Sequence, residues 1–363
     1  MENLILKDKD LYYIGGVVRD ELLGRDSFDV DLTYQGNAID KFGELKECIK
    51  VNEPFGTVRL LVDGKEIDIA STRDEKYDKK GHLPEVFDIG CELKRDVLRR
   101  DFTINALAKS TLTGEIIDYT GGVKDIEGKC LRILHDGSFI DDPTRIVRGL
   151  KFAVRFGFEL DEHTKNLQET YLKNIDYDMS FKRLKKELTE TFNLNRQEAF
   201  DRFISQKIYK LIGENEPAKI PDYDIETLVK KYPVDNIWLV YIGWHPDIEN
   251  LPLTREEQKI IDEYRELLST DIKDDSYSVY KSFDGKSKEA ILLYTLTQKS
   301  DLGIKYFSLN GNIAVTGEDL KSLGIPPSKE YSKCFDYILK EKLNNPDLTR
   351  DEELNLAKQF FNK

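Results

Sequence analysis

Cysteine, histidine, methionine and tryptophan are scarce, because the 363-residue sequence has 4, 4, 2 and 2 of them. The cysteines, Cys48, Cys91, Cys130 and Cys334, form no CxxC pair and show no zinc-site spacing. That excludes a disulfide-rich secreted domain and predicts free thiols in a reducing cytosol. The longest apolar run, about residues 237–244, falls far short of the ~20 residues of a membrane span. The first residues also lack the apolar core of a signal peptide, so we expect a cytoplasmic protein without membrane association.

Basic residues are fewer than acidic ones, because the sequence has 55 Lys and Arg and 68 Asp and Glu, which gives a net charge of −13. This balance argues against a chain coated with cations for bulk nucleic-acid binding. Two local basic tracks remain, at 145–155 and 182–186, and solvated helix faces are the alternative interpretation of both. Serine-hydrolase and P-loop motifs are missing, so the sequence indicates neither chemistry.

Two kinds of pattern divide the chain. As far as about residue 135, short β-rich runs alternate with turns and helical stretches, which predicts a mixed α/β domain. The predicted strands are 11–14, 28–34, a hairpin over 57–70 that turns at Asp63-Gly64, 114–122 and 131–134, and the predicted helices are 17–24 and 38–49. From about residue 142 apolar residues recur at helical spacing and strand signals almost vanish. We therefore expect an α/β head followed by a long helical body.

Acidic residues at alternate positions of one predicted strand are the first candidates for chemistry. Asp29 and Asp31 share one face of the strand, because side chains alternate with a period of two. Neighbouring carboxylates repel unless a cation lies between them, and Mg²⁺ favours such ligands together with substrate phosphates. Asp68, on the second arm of the predicted hairpin, is a possible third carboxylate, with Glu66 as its competitor. The alternative is a half-buried strand with a polar outer face.

A glycine pair precedes this strand. Gly15 and Gly16 end one predicted strand and open a helix, a geometry that lets backbone N–H groups approach a phosphate. A simple tight turn would also explain the pair.

Several segments in order resemble one known family, the class II tRNA nucleotidyltransferases, which include CCA-adding enzymes and bacterial poly(A) polymerases. The segment GGVVRDELLGRDSFDVDLTYQG at 15–36 is similar to the signature of that family. Further similar segments are the flexible loop at 71–86, the ribose motif at 99–108, the hinge motif at 117–133, the base-recognition motif at 141–158, a fifth motif at 181–188 and a tail segment at 316–328. The resemblance is dense over residues 13–190 and thin over 195–300.

The base-recognition segment also makes chemical sense by itself. Asp142 and Arg145 are three residues apart at a helix start, so both side chains can lie on one side. An Asp accepts from an exocyclic amine and an Arg donates to a ring nitrogen, a pattern that cytosine and adenine share. Uracil and guanine present the opposite groups, and each mispaired buried group costs ~1–3 kcal/mol. Without the resemblance, Asp142 before Pro143 reads as a helix N-cap.

The ribose motif contributes a second polar set. Arg99 and Arg100 suit a triphosphate, whereas Asp101 and Asn105 suit ribose hydroxyls. A charged helix start with Asp101 as its cap is the alternative.

The resemblance implies an α+β fold, with an N-terminal polymerase-β-like nucleotidyltransferase head at 1–136. An all-helical neck at 137–195, a body at 196–270 and a tRNA-binding tail at 271–363 would follow. It implies template-independent addition of CCA to the tRNA 3′ end from CTP and ATP, with pyrophosphate release by two Mg²⁺ ions. The tRNA partner would be held by its acceptor and T stem. The oligomeric state is left open by the sequence.

The resemblance also assigns roles to residues of this sequence. Catalysis would use Asp29, Asp31 and Asp68, with the metal on the first two. The triphosphate would lie against Gly15, Gly16, Arg19, Arg99 and Arg100, the ribose against Asp101 and Asn105, and the base against Asp142 and Arg145. Additional nucleotide or tRNA contacts would come from Arg73, Arg148, Arg155 and Arg183.

Other activities of the family remain alternatives. Addition of the terminal A alone is the second choice, ahead of a poly(A) polymerase or a CC-adding enzyme. The loop between Arg73 and Arg99 is not visibly shortened, which disfavours CC addition alone. A catalytically silent tRNA-binding protein is the alternative from another class, and the intact Asp29 and Asp31 argue against it.

Overall fold

The computed structural model describes residues 6–27 and 30–362, so Asp29 lies outside the described residues. The chain divides into two compact units. The first extends to Asn215 and includes Asn250–Pro252, and the second comprises Glu216–Glu249 and Leu253–Lys363. The four-part division into head, neck, body and tail stays a prediction.

Strands occur only in the first unit, as far as the chain is described. In chain order they are β1 (Leu11–Ile14), β2 (Asp31–Tyr34), β3 (Cys48–Asn52), β4 (Thr57–Val62), β5 (Lys65–Ser71), β6 (Arg73–Lys76), β7 (Glu85–Ile89), β8 (Leu107–Ser110), β9 (Ile116–Asp118), β10 (Cys130–Leu131) and β11 (Glu159–Leu160). Its described helices are α1 (Gly16–Leu22), α2 (Ala38–Phe42), α3 (Leu93–Leu98), α4 (Gly122–Glu127), α5 (Ser138–Asp141), α6 (Thr144–Phe156), α7 (Glu162–Tyr171), α8 (Phe181–Phe192) and α9 (Gln197–Ser205). The α/β head followed by helices is therefore confirmed.

One mixed sheet organises the head, in the strand order β3-β4-β5-β2-β1-β8-β9. The predicted hairpin is present as β4 and β5, and its turn residues Asp63 and Gly64 both have positive φ. Alternation along these strands buries Leu60 and Ile69 on one face, together with Leu32 of β2. The opposite face of β2 and β5 is thereby left to polar side chains.

The helix predicted over 38–49 is wrong in its second half. Helix α2 ends at Phe42, and Cys48–Asn52 form the edge strand β3. Ile49 and Val51 are β-branched, and backbone pairing with β4 decides their conformation. The segment 71–86, which resembles a flexible loop, contains β6 and the first two residues of its antiparallel partner β7.

Helix α6 carries the base-recognition segment, as the helical spacing predicts. Its residues Ile146, Leu150 and Ala153 are buried, and Gly157 ends it in the left-handed conformation. The α6 helix packs against α8, which contains the fifth motif. The short strand β11, which pairs with β10, was not predicted.

The second unit consists of helices. In chain order these are α10 (Ile225–Lys231), α11 (Ile237–Ile242), α12 (Arg255–Ser269), α13 (Ser276–Phe283), α14 (Lys288–Gln298), α15 (Leu302–Ser308), α16 (Gly317–Ser322), α17 (Glu330–Asn344) and α18 (Arg350–Phe361). Capping boxes begin three of them, at Thr254, Thr316 and Thr349. Among the described residues, no helix has both the length and the apolar character needed to cross a membrane.

Candidate active site

Most of the predicted site residues line one cavity of about 380 Å³ in the first unit. The predicted residues on its wall are Gly15, Gly16, Arg19, Asp31, Arg99, Arg100, Asp101, Asn105, Asp142, Arg145, Arg148 and Arg183. Glu75, Tyr77 and Phe152 complete the wall. Six arginines against four carboxylates on one wall suit an anionic ligand with several hydrogen-bonding edges.

Two acidic side chains lie side by side at the edge of this cavity. Asp31 of β2 and Asp68 of β5 are register partners in a parallel strand pair, so they project from the same face of the sheet. Asp68 accepts two hydrogen bonds from Arg59, at 2.7 Å from Nε and 2.8 Å from Nη2. Arg59 also donates to Glu66, the competitor for the third position, at 3.0 Å. Asp68 lines a second cavity, and Asp31 lines both.

The carboxylates of these two neighbouring strands are the donors that a metal ion would meet. Within residues 6–27 and 30–362 no cluster of three or more His, Cys, Asp or Glu side chains is placed to hold a metal ion. Asp31 and Asp68 nevertheless supply the carboxylate oxygens that a hard divalent cation prefers, on one solvent-facing side of two neighbouring strands. The donor chemistry therefore fits such an ion, with Arg59 as its competitor for Asp68.

The glycine turn depends on the absence of a side chain. Gly15 connects β1 to α1 with φ of 69°, a left-handed conformation, and its N–H donates to the Leu107 carbonyl at 2.9 Å. A Cβ at this position would lie 3.0 Å from Nη1 of Arg100. The turn thus brings bare backbone beside one of the predicted phosphate-binding arginines.

Both arginines of the ribose motif are held by one carboxylate that the sequence analysis missed. Fully buried Asp96 accepts from Arg99 at 2.7 Å and from Arg100 at 3.1 Å. Burial alone would raise the pKa of Asp96, but Arg100 and Arg99 outweigh it and hold the pKa below its ordinary value. The spacing carried a signal, because Asp96 precedes the two arginines by three and four residues on one helical turn.

The predicted ribose pair forms the centre of a buried polar network. Asp101 accepts from Asn105 at 3.0 Å and from Nε of Arg148 at 2.8 Å. The side-chain carbonyl of Asn105 accepts from Arg19 at 2.5 Å. Burial alone would raise the pKa of Asp101, but Arg148 and the hydrogen bond from Asn105 lower it to about 2. The network fixes the orientation of both polar side chains against the cavity.

A second missed carboxylate extends the same network. Glu187 of α8 is buried and accepts from Arg148 at 3.0 Å and from Lys151 at 2.6 Å. Because Arg148 also holds Asp101, the α8 helix is connected to the ribose pair by two ion pairs. The sequence signal was weak, since a Glu in a lysine-rich helix usually lies in solvent.

Asp142 both caps a helix and faces the cavity. One carboxylate oxygen accepts from the Thr144 N–H at 3.1 Å, and this is the hydrogen bond expected if Asp142 caps the helix. The other oxygen accepts from Arg183. The Arg145 backbone N–H donates to the Asp142 carbonyl at 3.1 Å, but within the described residues the two side chains are not paired with each other. The Arg145 guanidinium instead donates to Ser138 at 2.7 Å and to the Tyr77 hydroxyl at 3.3 Å. Both Asp142 and Arg145 are buried, and the cavity is the space that they share.

Two predicted contact residues lie outside the lining of this cavity. Arg73 lines the second cavity, where it donates to Glu75 at 2.7 Å and lies against the ring of Phe55. Arg155 lines neither cavity, and its guanidinium lies over the ring of Phe156. Their proposed roles stay predictions.

Several known proteins are similar to this chain. Residues 11–132 match the poly A polymerase head domain. The chain is 31% identical to an A-adding tRNA nucleotidyltransferase of Geobacter sulfurreducens over 96% of its own length and 44% of that protein's length. It is 27% identical to the A-adding tRNA nucleotidyltransferase of Halalkalibacterium halodurans over 97% and 89% of the two chains. It thus spans less than half of the first of these relatives and most of the second.

A solved structure extends the likeness to both units. The Thermotoga maritima CCA-adding enzyme complexed with tRNA matches with a TM-score of 0.74 and 26% identity, over 99% of this chain and 93% of that one. The chain therefore carries a poly A polymerase head domain at residues 11–132, and over nearly its whole length it is similar to tRNA nucleotidyltransferases in sequence and fold.

Proposed function

We propose that this chain is a template-independent nucleotidyltransferase that extends the 3′ end of tRNA with nucleotides from CTP and ATP. One observation carries the proposal: a single cavity brings together the glycine turn, the paired arginines, the ribose pair and the Asp142/Arg145 pair, with Asp31 at its edge. Each of these sets suits one part of a nucleoside triphosphate. The match to the poly A polymerase head domain and the similarity to a tRNA nucleotidyltransferase support the same reaction class.

In the proposed reaction, the RNA 3′-hydroxyl forms a bond to the α-phosphorus while the bond to the bridging oxygen breaks and pyrophosphate leaves. Arg99 and Arg100, held in place by Asp96, bind the phosphates and offset their charge. Asp101 and Asn105 hold the ribose. Asp31 and Asp68, together with Asp29, would bind Mg²⁺, which when present would stabilise negative charge on the reacting oxygens.

Base selection would use the hydrogen-bonding edges of two fixed side chains. Arg183 and the Thr144 N–H hold the Asp142 carboxylate, and Ser138 and Tyr77 hold the Arg145 guanidinium. A carboxylate accepts from the exocyclic amine of cytosine or adenine, and a guanidinium donates to the adjacent ring nitrogen. Uracil and guanine would leave both groups mispaired, so we expect CTP and ATP to be preferred.

Addition of the whole CCA sequence is our first candidate, because one Asp/Arg pair satisfies both bases that CCA requires. Addition of the terminal A alone is the second candidate. It is supported by two relatives that align with nearly all of this chain and are named A-adding tRNA nucleotidyltransferases.

Three tRNA substrates separate the candidates. They end at the discriminator base, at the first C and at the second C, and each is incubated with labelled CTP or ATP and Mg²⁺. We expect CTP incorporation on the first two and ATP incorporation on the third. ATP incorporation on the third substrate without any CTP incorporation would assign A addition alone. Long adenylate tails would point to a poly(A) polymerase, and tRNA binding without any incorporation would refute the proposal.

A further inference from the structure

A row of charged side chains crosses the head sheet at right angles to its strands. Lys50 of β3 is the register partner of Arg59 of β4, Arg59 is the partner of Asp68 of β5, and Asp68 is the partner of Asp31 of β2. Register partners project from the same face, so all four side chains lie on the polar face of the sheet. Neighbouring strands are about 4.8 Å apart, which puts Lys50 roughly 14 Å from Asp31 along the row.

The row forms the floor of the second cavity, which has a volume of about 420 Å³. Asn52 and Thr57, also register partners, lie two residues further along β3 and β4 and line the same cavity. Asp31, Arg99 and Arg100 line both this cavity and the one with the base-recognition pair. The two cavities therefore meet at Asp31, where the proposed reaction takes place.

The charge on the row changes with distance from the reaction centre. Asp31 and Asp68 are acidic, whereas Lys50 is cationic. Arg59, between them, donates hydrogen bonds to both Asp68 and Glu66. Lys50 is exposed and forms no ion pair within the described residues. An exposed ammonium beside the Asn52 amide provides donors for a phosphodiester group.

The geometry of the proposed reaction indicates which RNA strand would bring a phosphodiester to Lys50. The base contacts, the ribose contacts and the glycine turn line only the first cavity, so the incoming nucleotide occupies that side of Asp31. In a phosphoryl transfer the attacking oxygen and the leaving oxygen lie on opposite sides of the phosphorus. The strand that carries the attacking 3′-hydroxyl therefore approaches from the remaining side, which is the second cavity.

We infer that the second cavity is the acceptor-strand site, in which Lys50 and Asn52 bind the phosphodiester backbone just behind the 3′ end of the RNA. This inference rests on the proposed function and adds to it a location for the acceptor strand. Arg59 is also part of this site, where its two hydrogen bonds hold Asp68 in place.

Lys50→Ala is the direct test, with Lys65→Ala as its matched control. Lys65 is also exposed and begins β5 in the same sheet, but it lines neither cavity. In Lys50→Ala we expect the KM for RNA to rise roughly two- to fivefold, as for the loss of one exposed ion pair, with the KM for CTP and ATP unchanged. Lys65→Ala should leave both constants unchanged.

Direct RNA binding provides a second measurement, which does not depend on catalysis. The affinity for a fluorescently labelled tRNA without its CCA end is measured by anisotropy across a salt series, in the absence of nucleotides. Loss of one phosphate contact should reduce the slope of log K against log salt concentration by about 0.7 in Lys50→Ala. The control should keep the wild-type slope.

The outcomes separate this inference from the proposed function. An unchanged KM for RNA together with an unchanged salt slope would overturn the acceptor-strand site while leaving the proposed activity intact. A raised KM for CTP and ATP with unchanged RNA binding would assign Lys50 to the triphosphate and also overturn it. A wild-type protein that incorporates no nucleotide would refute the proposed function, and the acceptor-strand site would fall with it.

Discussion

Buried charge is the main feature of the candidate active site at the scale of single residues. Asp96, Asp101 and Asp142 are each at most 7% exposed, and each faces at least one arginine. A buried carboxylate loses its hydration, so its arginine partners must supply the compensating charge and hydrogen bonds. These residues thus stabilise the fold and hold the side chains that would contact a nucleotide.

Asp96→Asn tests this double role. The substitution keeps the shape but removes the charge opposite Arg99 and Arg100, and breaking a buried ion pair costs about 3 kcal/mol. We expect the free energy of unfolding, measured by urea denaturation, to fall by about that amount, and the KM for CTP and ATP to rise. Glu92→Gln, at an exposed position before the same helix, is the control and should change neither. A destabilised variant with an unchanged nucleotide KM would limit Asp96 to a structural role.

The lowered pKa of Asp101 predicts a pH dependence of stability. Its folded-state pKa is about 2, below the ordinary value of 3.8, so its contribution is present above pH ~4 and is lost as pH falls toward 2. The difference corresponds to about 2 kcal/mol. The free energy of unfolding of the wild type should therefore fall more steeply between pH 4 and pH 2 than that of Asp101→Asn. Asp40→Asn, on the surface of α2, should follow the wild type, and parallel curves for Asp101→Asn would contradict the assignment.

At the scale of elements, short junctions determine where the site residues lie. Gly122 opens α4, and its N–H donates to the Asp118 carboxylate at 3.0 Å. A Cβ added to Gly122 would lie 2.2 Å from the Thr103 carbonyl oxygen. Thr103 belongs to the ribose motif, so this contact connects the 117–133 segment to the turn that carries Asp101 and Asn105.

Gly122→Ala should therefore destabilise the head. The clash is with backbone, which cannot move without displacing the ribose motif, and we expect a loss of about 3 kcal/mol in the free energy of unfolding. Thermal unfolding monitored by circular dichroism is the measurement. Gly137→Ala is the matched control, because its φ is −77° and an added Cβ would meet nothing nearer than 3.4 Å. Equal midpoints for the two variants would show that the ribose motif can shift at little cost.

At the scale of the whole molecule, RNA binding and nucleotidyl transfer should be separable. Contacts to RNA phosphates are individually weak and spread over a surface, whereas the chemistry depends on a few carboxylates. A variant without those carboxylates should thus keep its affinity for tRNA.

The double variant Asp29→Ala, Asp31→Ala tests this separation. We expect nucleotide incorporation to fall by a factor of about 1,000 or more, since stabilisation of charge on the reacting oxygens contributes several kcal/mol. Filter binding should give a tRNA affinity close to that of the wild type. Undiminished incorporation would refute the proposed roles of the two residues.

The local secondary structure and the types of residue in the candidate site could be predicted from the sequence. Period-two alternation indicated the 57–70 hairpin, helical spacing indicated α6, and residue type marked most of the cavity wall. The error at 38–49 arose because Ile49 and Val51 follow a helical stretch, and only pairing with β4 makes them a strand. Asp96 and Glu187 were missed because a carboxylate near several cations commonly lies in solvent.

The sequence alone determined which residues are able to bind phosphate, sugar and base, because that ability belongs to the side chain and its immediate neighbours. Only the tertiary structure decided which of them meet. Asp31 and Asp68 become neighbours through parallel pairing of strands 37 residues apart, and Lys50 joins their row through two further strand pairs. Sheet register is a long-range property, set by burial of one face across several strands, and no single segment encodes it.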